Sequence, residues 1–350
     1  MTDNQPDVTV EVRSRFGVLT LNRPSGLNAL TLDMVRTIHQ QMDEWARDDD
    51  IEGVIFQGAG EKAFCAGGDI RALYDSYQNG GTLHRVFFEE EYALDLAIHE
   101  YRKPVLCLMN GFVMGGGMGV AQGASLRIVT ERAKLAMPET GIGYFPDVGA
   151  TYFLSRLPRR LGEYLAITGA QLGAADALFA GLADMYVPAD NLPRLDDLLA
   201  AVDTSSTESV KSGLKSLSGD PGEASLAVVM PAIEKHFSQP DLAAIRDSLQ
   251  QEQNPEYSGW ARTTLAALES RSPLGMAVAL ELVRRGRDMT LAQAFETELA
   301  MDYVWFDQGD IVEGIRALIV DKDKSPRWRI LSIDELQPDA VTVLFDEAGI

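Results

Sequence analysis

Residues 110–152 read NGFVMGGGMGVAQGASLRIVTERAKLAMPETGIGYFPDVGATY, and the rest of the chain is organised around this stretch. Three successive glycines at 115–117 remove every Cβ, so the backbone can approach a ligand closely and present bare N–H groups to it. Upstream, PVLCLMNG (104–111) reads as a buried apolar strand. Downstream, MGVAQGASLRIVT reads as a helix of small residues running into another strand. Strand, glycine loop and helix in that order place the positive end of a helix dipole behind the free N–H groups, which suits negative charge developing on a carbonyl oxygen. Close packing of helix on sheet explains GGG equally well, so the loop alone identifies no site.

The stretch GVIFQGAGEKAFCAGGDIRAL (53–73) repeats the plan with a turn at Ala66-Gly67-Gly68-Asp69. An oxyanion hole needs two donors aimed at one oxygen, and two glycine turns on neighbouring strands supply one N–H each if they converge. Strand–helix units at Val54, Val105 and Leu126 imply right-handed crossovers and a largely parallel sheet with helices outside. Periodicity alone fits a doubly wound sheet as well.

Two carboxylates complete the stretch. Glu139 follows Pro138 and Asp147 follows Pro146, with a mostly apolar and glycine-rich run between them and no basic residue adjacent to either. Desolvation disfavours a charged carboxylate and raises its pKa, making it a better proton acceptor near neutral pH. For Asp147 a second reading stands: a helix cap ahead of VGATYFLSRL.

LNRPSGLNAL (21–30), KAFCAGGDIRAL (62–73) and NGFVMGGGMG (110–119) together resemble the crotonase, or enoyl-CoA hydratase/isomerase, superfamily. AMPETGIGYFPDVGATYFLSRL (136–157) and EGIRALIVDKDKSPRW (313–328) resemble its 3-hydroxyisobutyryl-CoA hydrolase branch. The resemblance implies an α/β fold, a crotonase-like spiral of ββα units over residues 1–200, followed by a mainly helical C-terminal region over 201–350. It implies an oxyanion hole from the Gly68 and Gly116 N–H groups and catalytic Glu139 and Asp147. It also has Glu91 reaching the substrate, and backbone near Leu27 and Asn28 lining the adenine site of coenzyme A. Arg71 and Lys62 flank the first glycine turn as candidate partners for the phosphates. Hydratases carry a glutamate two positions after the triple glycine, where this chain has Gly119, so two-glutamate hydration is disfavoured. The implied reaction is hydrolysis of 3-hydroxyisobutyryl-CoA in valine catabolism; the alternative is a hydratase or isomerase. Glu139 as general base and Glu139 as nucleophile both stay open. Coenzyme A belongs to the substrate, and no cofactor is expected. A homo-oligomer is expected from the resemblance.

With 52 acidic against 31 basic residues and a net charge of −21, nucleic acid and anionic membrane are poor partners. An acyl-CoA would need local basic residues, for which Lys322, Lys324 and Arg327 near Trp328 are further candidates, though Asp321 and Asp323 alternate with them. The polar N-terminal stretch MTDNQPDVTVEVRSR lacks an apolar signal region, and a cytoplasmic protein is expected. Cys65 and Cys107 read as reduced core thiols. His39, His84, His99 and His236 show no ligand spacing, so no metal is expected. No GK[ST] follows GGG, and AGGD is not GxGxxG.

Alternation predicts a hairpin at Val8–Val12 and Gly17–Leu21. Helical spacing predicts a helix over 31–47 capped by Thr31, a long helical region over 71–101 with Glu89-Glu90-Glu91 as a solvated face, and two helices over 161–183. A loop is expected at 203–222 and a helical region over 224–320.

Overall fold

The computed structural model describes residues 6–350. Its strands are β1 (Val8–Arg13), β2 (Phe16–Leu21), β3 (Gly53–Gly58), β4 (Ala63–Cys65), β5 (Val105–Met109), β6 (Phe112–Met114), β7 (Leu126–Val129), β8 (Lys134–Ala136) and β9 (Met185–Tyr186). The chain divides into two compact units, neither of them continuous in sequence.

The first unit holds Met1–Asp69, Glu90–Leu135 and Gln171–Ala224. Its main sheet runs β1-β2-β3-β5-β7-β9, and a smaller sheet runs β4-β6-β8. In the main sheet the β1–β2 hairpin is antiparallel, and β2, β3, β5, β7 and β9 pair in parallel. The hairpin turn places Ser14 and Arg15 at φ 50° and 70°, the left-handed geometry that matches strand twist. Parallel strands covered on both faces need continuous apolar runs, and every residue of β5, VLCLM, is buried. Each long strand β3, β5 and β7 is followed by a short one, β4, β6 or β8, in the second sheet. This is the expected ββα spiral.

Helix α1 (Leu32–Ala46) starts at Thr31, whose side chain accepts from the Met34 N–H, and it buries Met34, Val35, Ile38, Met42 and Trp45. The segment expected as a loop at 203–222 contains a helix, Thr207–Gly213, capped by Ser206. Val210, Leu214 and Leu217 on and after it pack into the core with Phe16, Ile55, Leu106 and Ile128. The polar composition hid an i, i+4, i+7 apolar stripe.

The second unit holds Ile70–Glu89, Ala136–Ala170 and Ser225–Ile350, and is mainly helical. The long helical region expected over 71–101 is two helices, α2 (Ile70–Gln78) and α3 (Leu83–His99). Gly80, at φ +75°, ends the first, and Ser76 Oγ accepts from the Leu83 N–H to start the second. Further helices include α4 (Gly116–Gly123, in the first unit), α5 (Ala150–Ser155) and α6 (Leu161–Thr168), followed by Pro273–Gly286 and Leu291–Gln308. The expected division at residue 200 therefore differs from the compact units. The helical unit draws in 70–89 and 136–170, because those segments leave the spiral and pack with helices distant in sequence. Among the described residues no helix is long and apolar enough to cross a membrane.

Candidate active site

Strands β4 and β6 are parallel neighbours, with Cys65 beside Val113, so the turns that follow them leave the small sheet at the same end. A Cβ on Gly116 would lie 3.5 Å from the Gly68 nitrogen. The two glycine turns are therefore adjacent. The Gly68 turn is fixed by the Leu30 N–H donating to Gly67 O (2.8 Å) and the Asp69 N–H donating to Leu30 O (2.8 Å), neither of which uses the Gly68 N–H. Gly116 opens α4, so its N–H has no partner within the helix. Gly67 at φ +105° and Gly115 at φ +51° hold left-handed conformations that a side chain would strain.

Glu91 belongs to this cluster rather than to a solvated face. It is buried, and a Cβ on Gly116 would overlap its Oε1. Its neighbours point elsewhere: Glu90 pairs with Arg36 (2.7 Å), and Glu89 accepts from the Tyr303 hydroxyl (2.8 Å). The sequence carried the signal, since Glu91, Leu94, Asp95 and Ile98 recur at i, i+3, i+4 and i+7, and all four are buried. Cys65 lies beneath the same turn. Burial pushes its thiol up to about 12, and Glu91 and Asp95 add to the shift, so it is no thiolate nucleophile.

Leu27 and Asn28 both have positive φ, 53° and 58°. The fully buried Asn28 side chain accepts from the Arg23 N–H (3.0 Å) and donates to the carbonyls of Ala59 (3.0 Å) and Ala63 (2.9 Å). It fixes this turn through its side chain, leaving only backbone for a ligand. Arg71 is exposed and paired with Asp75 at 2.9 Å. In the tail, Arg316 gathers Glu313, Asp321 and Asp323, while Lys322, Lys324 and Arg327 are exposed and Trp328 is buried.

The carboxylates occupy the second unit. Glu139 opens a short 3₁₀ turn, Glu139–Ile142, and is 6% exposed; among the described residues nothing donates to its Oε2. Burial raises its pKa well above the carboxylate range and the charge of Asp147 raises it further, while Arg271 opposes both. Arg271 Nη1 donates to Thr140 Oγ1 (3.2 Å) and weakly to Pro138 O (3.4 Å), bracketing Glu139 in the chain. Burial lowers the pKa of Arg271, and the charge of Glu139 partly restores it.

Asp147 is also buried. The cap position of α5 is Gly149. The Ala150 N–H donates to the Asp147 carbonyl (2.9 Å), and the N–H groups of Gly149 and Thr151 donate to Glu298, at 2.7 and 2.8 Å. Glu298 is fully buried, and burial pushes its pKa up to about 8, opposed by those two hydrogen bonds. The sequence reading missed Arg271 and Glu298, which lie more than a hundred residues away with no local motif.

Two of the histidines are held by neighbours in the helical unit. His84 is buried with its ring centroid 4.4 Å from that of Phe306, and His236 lies between Ser248 (2.7 Å) and Glu252 (2.8 Å). Among the described residues no three His, Cys, Asp or Glu side chains gather as a metal site.

A parallel ββα spiral carrying two adjacent glycine turns defines the crotonase fold. The chain belongs to the enoyl-CoA hydratase/isomerase family, whose model matches residues 16–345. Within it, the chain is 38% identical over 353 residues to the mitochondrial 3-hydroxyisobutyryl-CoA hydrolase of Gallus gallus, spanning 99% of this chain and 91% of that protein. It is 36% identical to the Homo sapiens protein of the same name, over 99% and 90% of the two lengths. Two solved structures share the fold over 97% of this chain. They are an enoyl-CoA hydratase from Rhodobacter sphaeroides 2.4.1 (97% of that chain, 38% identity, TM-score 0.88) and a carnitinyl-CoA dehydratase from Mycobacterium thermoresistibile (96%, 37%, 0.90).

Proposed function

We propose that this protein hydrolyses an acyl-CoA thioester, with 3-hydroxyisobutyryl-CoA and water giving 3-hydroxyisobutyrate and coenzyme A, a step of valine catabolism. The observation that carries the reading is the buried Glu139, held above the usual carboxylate range by desolvation and by Asp147. A raised pKa makes it an effective base toward water near neutral pH. The Gly68 and Gly116 N–H groups polarise the thioester carbonyl and stabilise the tetrahedral oxyanion. Glu139 takes a proton from the attacking water. The C–S bond then breaks, and the thiolate of coenzyme A leaves with a proton passed through Asp147. Glu91 receives the β-hydroxyl of the substrate. Backbone at Leu27 and Asn28 lines the adenine site. Arg71, exposed and paired with Asp75, is a phosphate partner in this reading.

No cofactor enters this chemistry, because coenzyme A arrives as part of the substrate. Two buried free thiols fit a reducing compartment, and a cytoplasmic enzyme is proposed, although the named relatives are mitochondrial. A homo-oligomer remains part of the proposal.

A hydratase or isomerase is the second reading, favoured by the names of the two structural neighbours. Gly119, buried on α4, stands where two-glutamate hydration needs its second carboxylate. Release of free thiol from 3-hydroxyisobutyryl-CoA, measured beside hydration of crotonyl-CoA, separates the two. Thiol release that collapses in Glu139→Gln supports the hydrolase; hydration without thiol release moves the protein to the second reading.

A further inference from the structure

The helix Leu291–Gln308 presents three polar groups to one short segment. Glu298 accepts from the N–H groups of Gly149 and Thr151, Asp302 accepts from the Tyr144 hydroxyl, and Trp305 Nε1 donates to Gly143 O at 2.9 Å. Positions 298, 302 and 305 follow i, i+4 and i+7, so all three lie on one face. The helix starts at a capping box formed by Thr290 and Gln293. Between the outermost contacts runs Gly143–Thr151, with Asp147 inside it.

This segment is strained beside Asp147. Val148 has φ +53° and Gly149 φ +83°. A β-branched residue rarely takes the left-handed conformation and keeps it only where its surroundings over-determine it. Ordinary helix capping would need only a short polar side chain at the cap position. Here the cap residue is Gly149 with no side chain, and a fully buried carboxylate from a distant helix takes both N–H groups.

We propose that Glu298 is a positioning residue: its two-pronged grip on Gly149 and Thr151 holds the left-handed turn at Val148–Gly149 and thereby orients Asp147 for the reaction. This rests on the reading of Asp147 as a catalytic group. Asp302 and Trp305 anchor the other end of the segment, so loss of Glu298 removes the grip on Gly149 and Thr151 while the Gly143–Tyr144 end stays held.

The test is steady-state thiol release from 3-hydroxyisobutyryl-CoA, with melting temperatures, for wild type, Asp147→Asn, Glu298→Gln, Glu298→Asp, the Asp147→Asn/Glu298→Gln double variant and Glu298→Gln/Val148→Gly. A misplaced group costs turnover more than binding, so Glu298→Gln lowers kcat by about 10- to 100-fold and moves KM by less than about threefold. Added to Asp147→Asn, it costs little more, because the residue it positions is already gone. Val148→Gly returns part of the lost kcat, since glycine enters the left-handed turn without the strain that valine carries there. A purely structural Glu298 would lower the melting temperature, add independently to Asp147→Asn and gain nothing from the glycine; that result overturns the proposal. Should Glu298→Gln not fold, Glu298→Asp, whose shorter arm reaches one N–H, carries the same comparison. The two failures are distinct. Wild-type turnover in Asp147→Asn sinks the reading of Asp147 and the clamp with it, whereas a dead Asp147→Asn beside an active Glu298→Gln sinks the clamp alone.

Discussion

The carboxylate of Glu91 fills the space that a Cβ on Gly116 would need. A methyl group there pushes aside the end of one side chain. At Gly117 the same methyl would meet the backbone carbonyl and Cβ of Cys65, which cannot step away. Gly116→Ala should therefore lose turnover with a small change in melting temperature, while Gly117→Ala destabilises the fold by about 1–3 kcal/mol. Thermal melts beside thiol-release kinetics separate the two; equal stability losses would contradict the geometry.

The proposal that Glu91 receives the substrate hydroxyl predicts a substrate-dependent defect. A hydrogen bond to a charged group is worth about 1.5–3 kcal/mol, roughly 10- to 100-fold. Glu91→Gln should lower kcat/KM for 3-hydroxyisobutyryl-CoA by that order. Isobutyryl-CoA, which lacks the hydroxyl, should be affected far less. A parallel loss on both esters would place Glu91 in structure rather than recognition.

Much of this was legible in the chain itself. The β1–β2 hairpin, α1 with its Thr31 cap and the strands at Val54, Val105 and Leu126 all follow from periodicity. Both glycine turns were visible because φ > 0 and missing Cβ atoms leave glycine as their mark. The three-residue strands β4, β6 and β8 were not, since three residues carry no period. The break at Gly80 was readable from Asn79-Gly80-Gly81, but helical spacing on either side masked it. For Asp147, local sequence offered capping and catalysis on equal terms. The two long-range bonds from Glu298 to the Gly149 and Thr151 N–H groups had no local signal.

In its proposed role as base Glu139 works only when ionised, so the acid limb of the kcat/KM profile should lie above the ordinary carboxylate range. Part of the shift comes from the charge of Asp147. Any residual activity of Asp147→Asn should therefore have its acid limb at lower pH. Arg271 acts in the opposite sense, and Arg271→Gln should move the limb upward. pH profiles of thiol release for the three proteins read this directly; limbs that stay fixed would assign the titration to another group.

The stability of the fold carries a separate signature of Glu298. Its folded pKa, pushed up to about 8, exceeds the ordinary value of 4.5, so the folded state holds a proton the unfolded state has released. The resulting stability is complete below about pH 4.5 and is lost as pH rises through about 8, on the order of 1.4 kcal/mol per pH unit between them. Carboxylates with lowered values, such as Glu52 and Glu252, act below this window. His84 and His236, lowered by burial, oppose the trend as pH rises toward 6.5. The comparison must therefore be with Glu298→Gln rather than along the wild-type curve alone. Urea unfolding at pH 5 and pH 8 should show the wild type losing more stability across that interval than the variant. Identical losses would mean that Glu298 stays ionised throughout, held so by the Gly149 and Thr151 N–H groups.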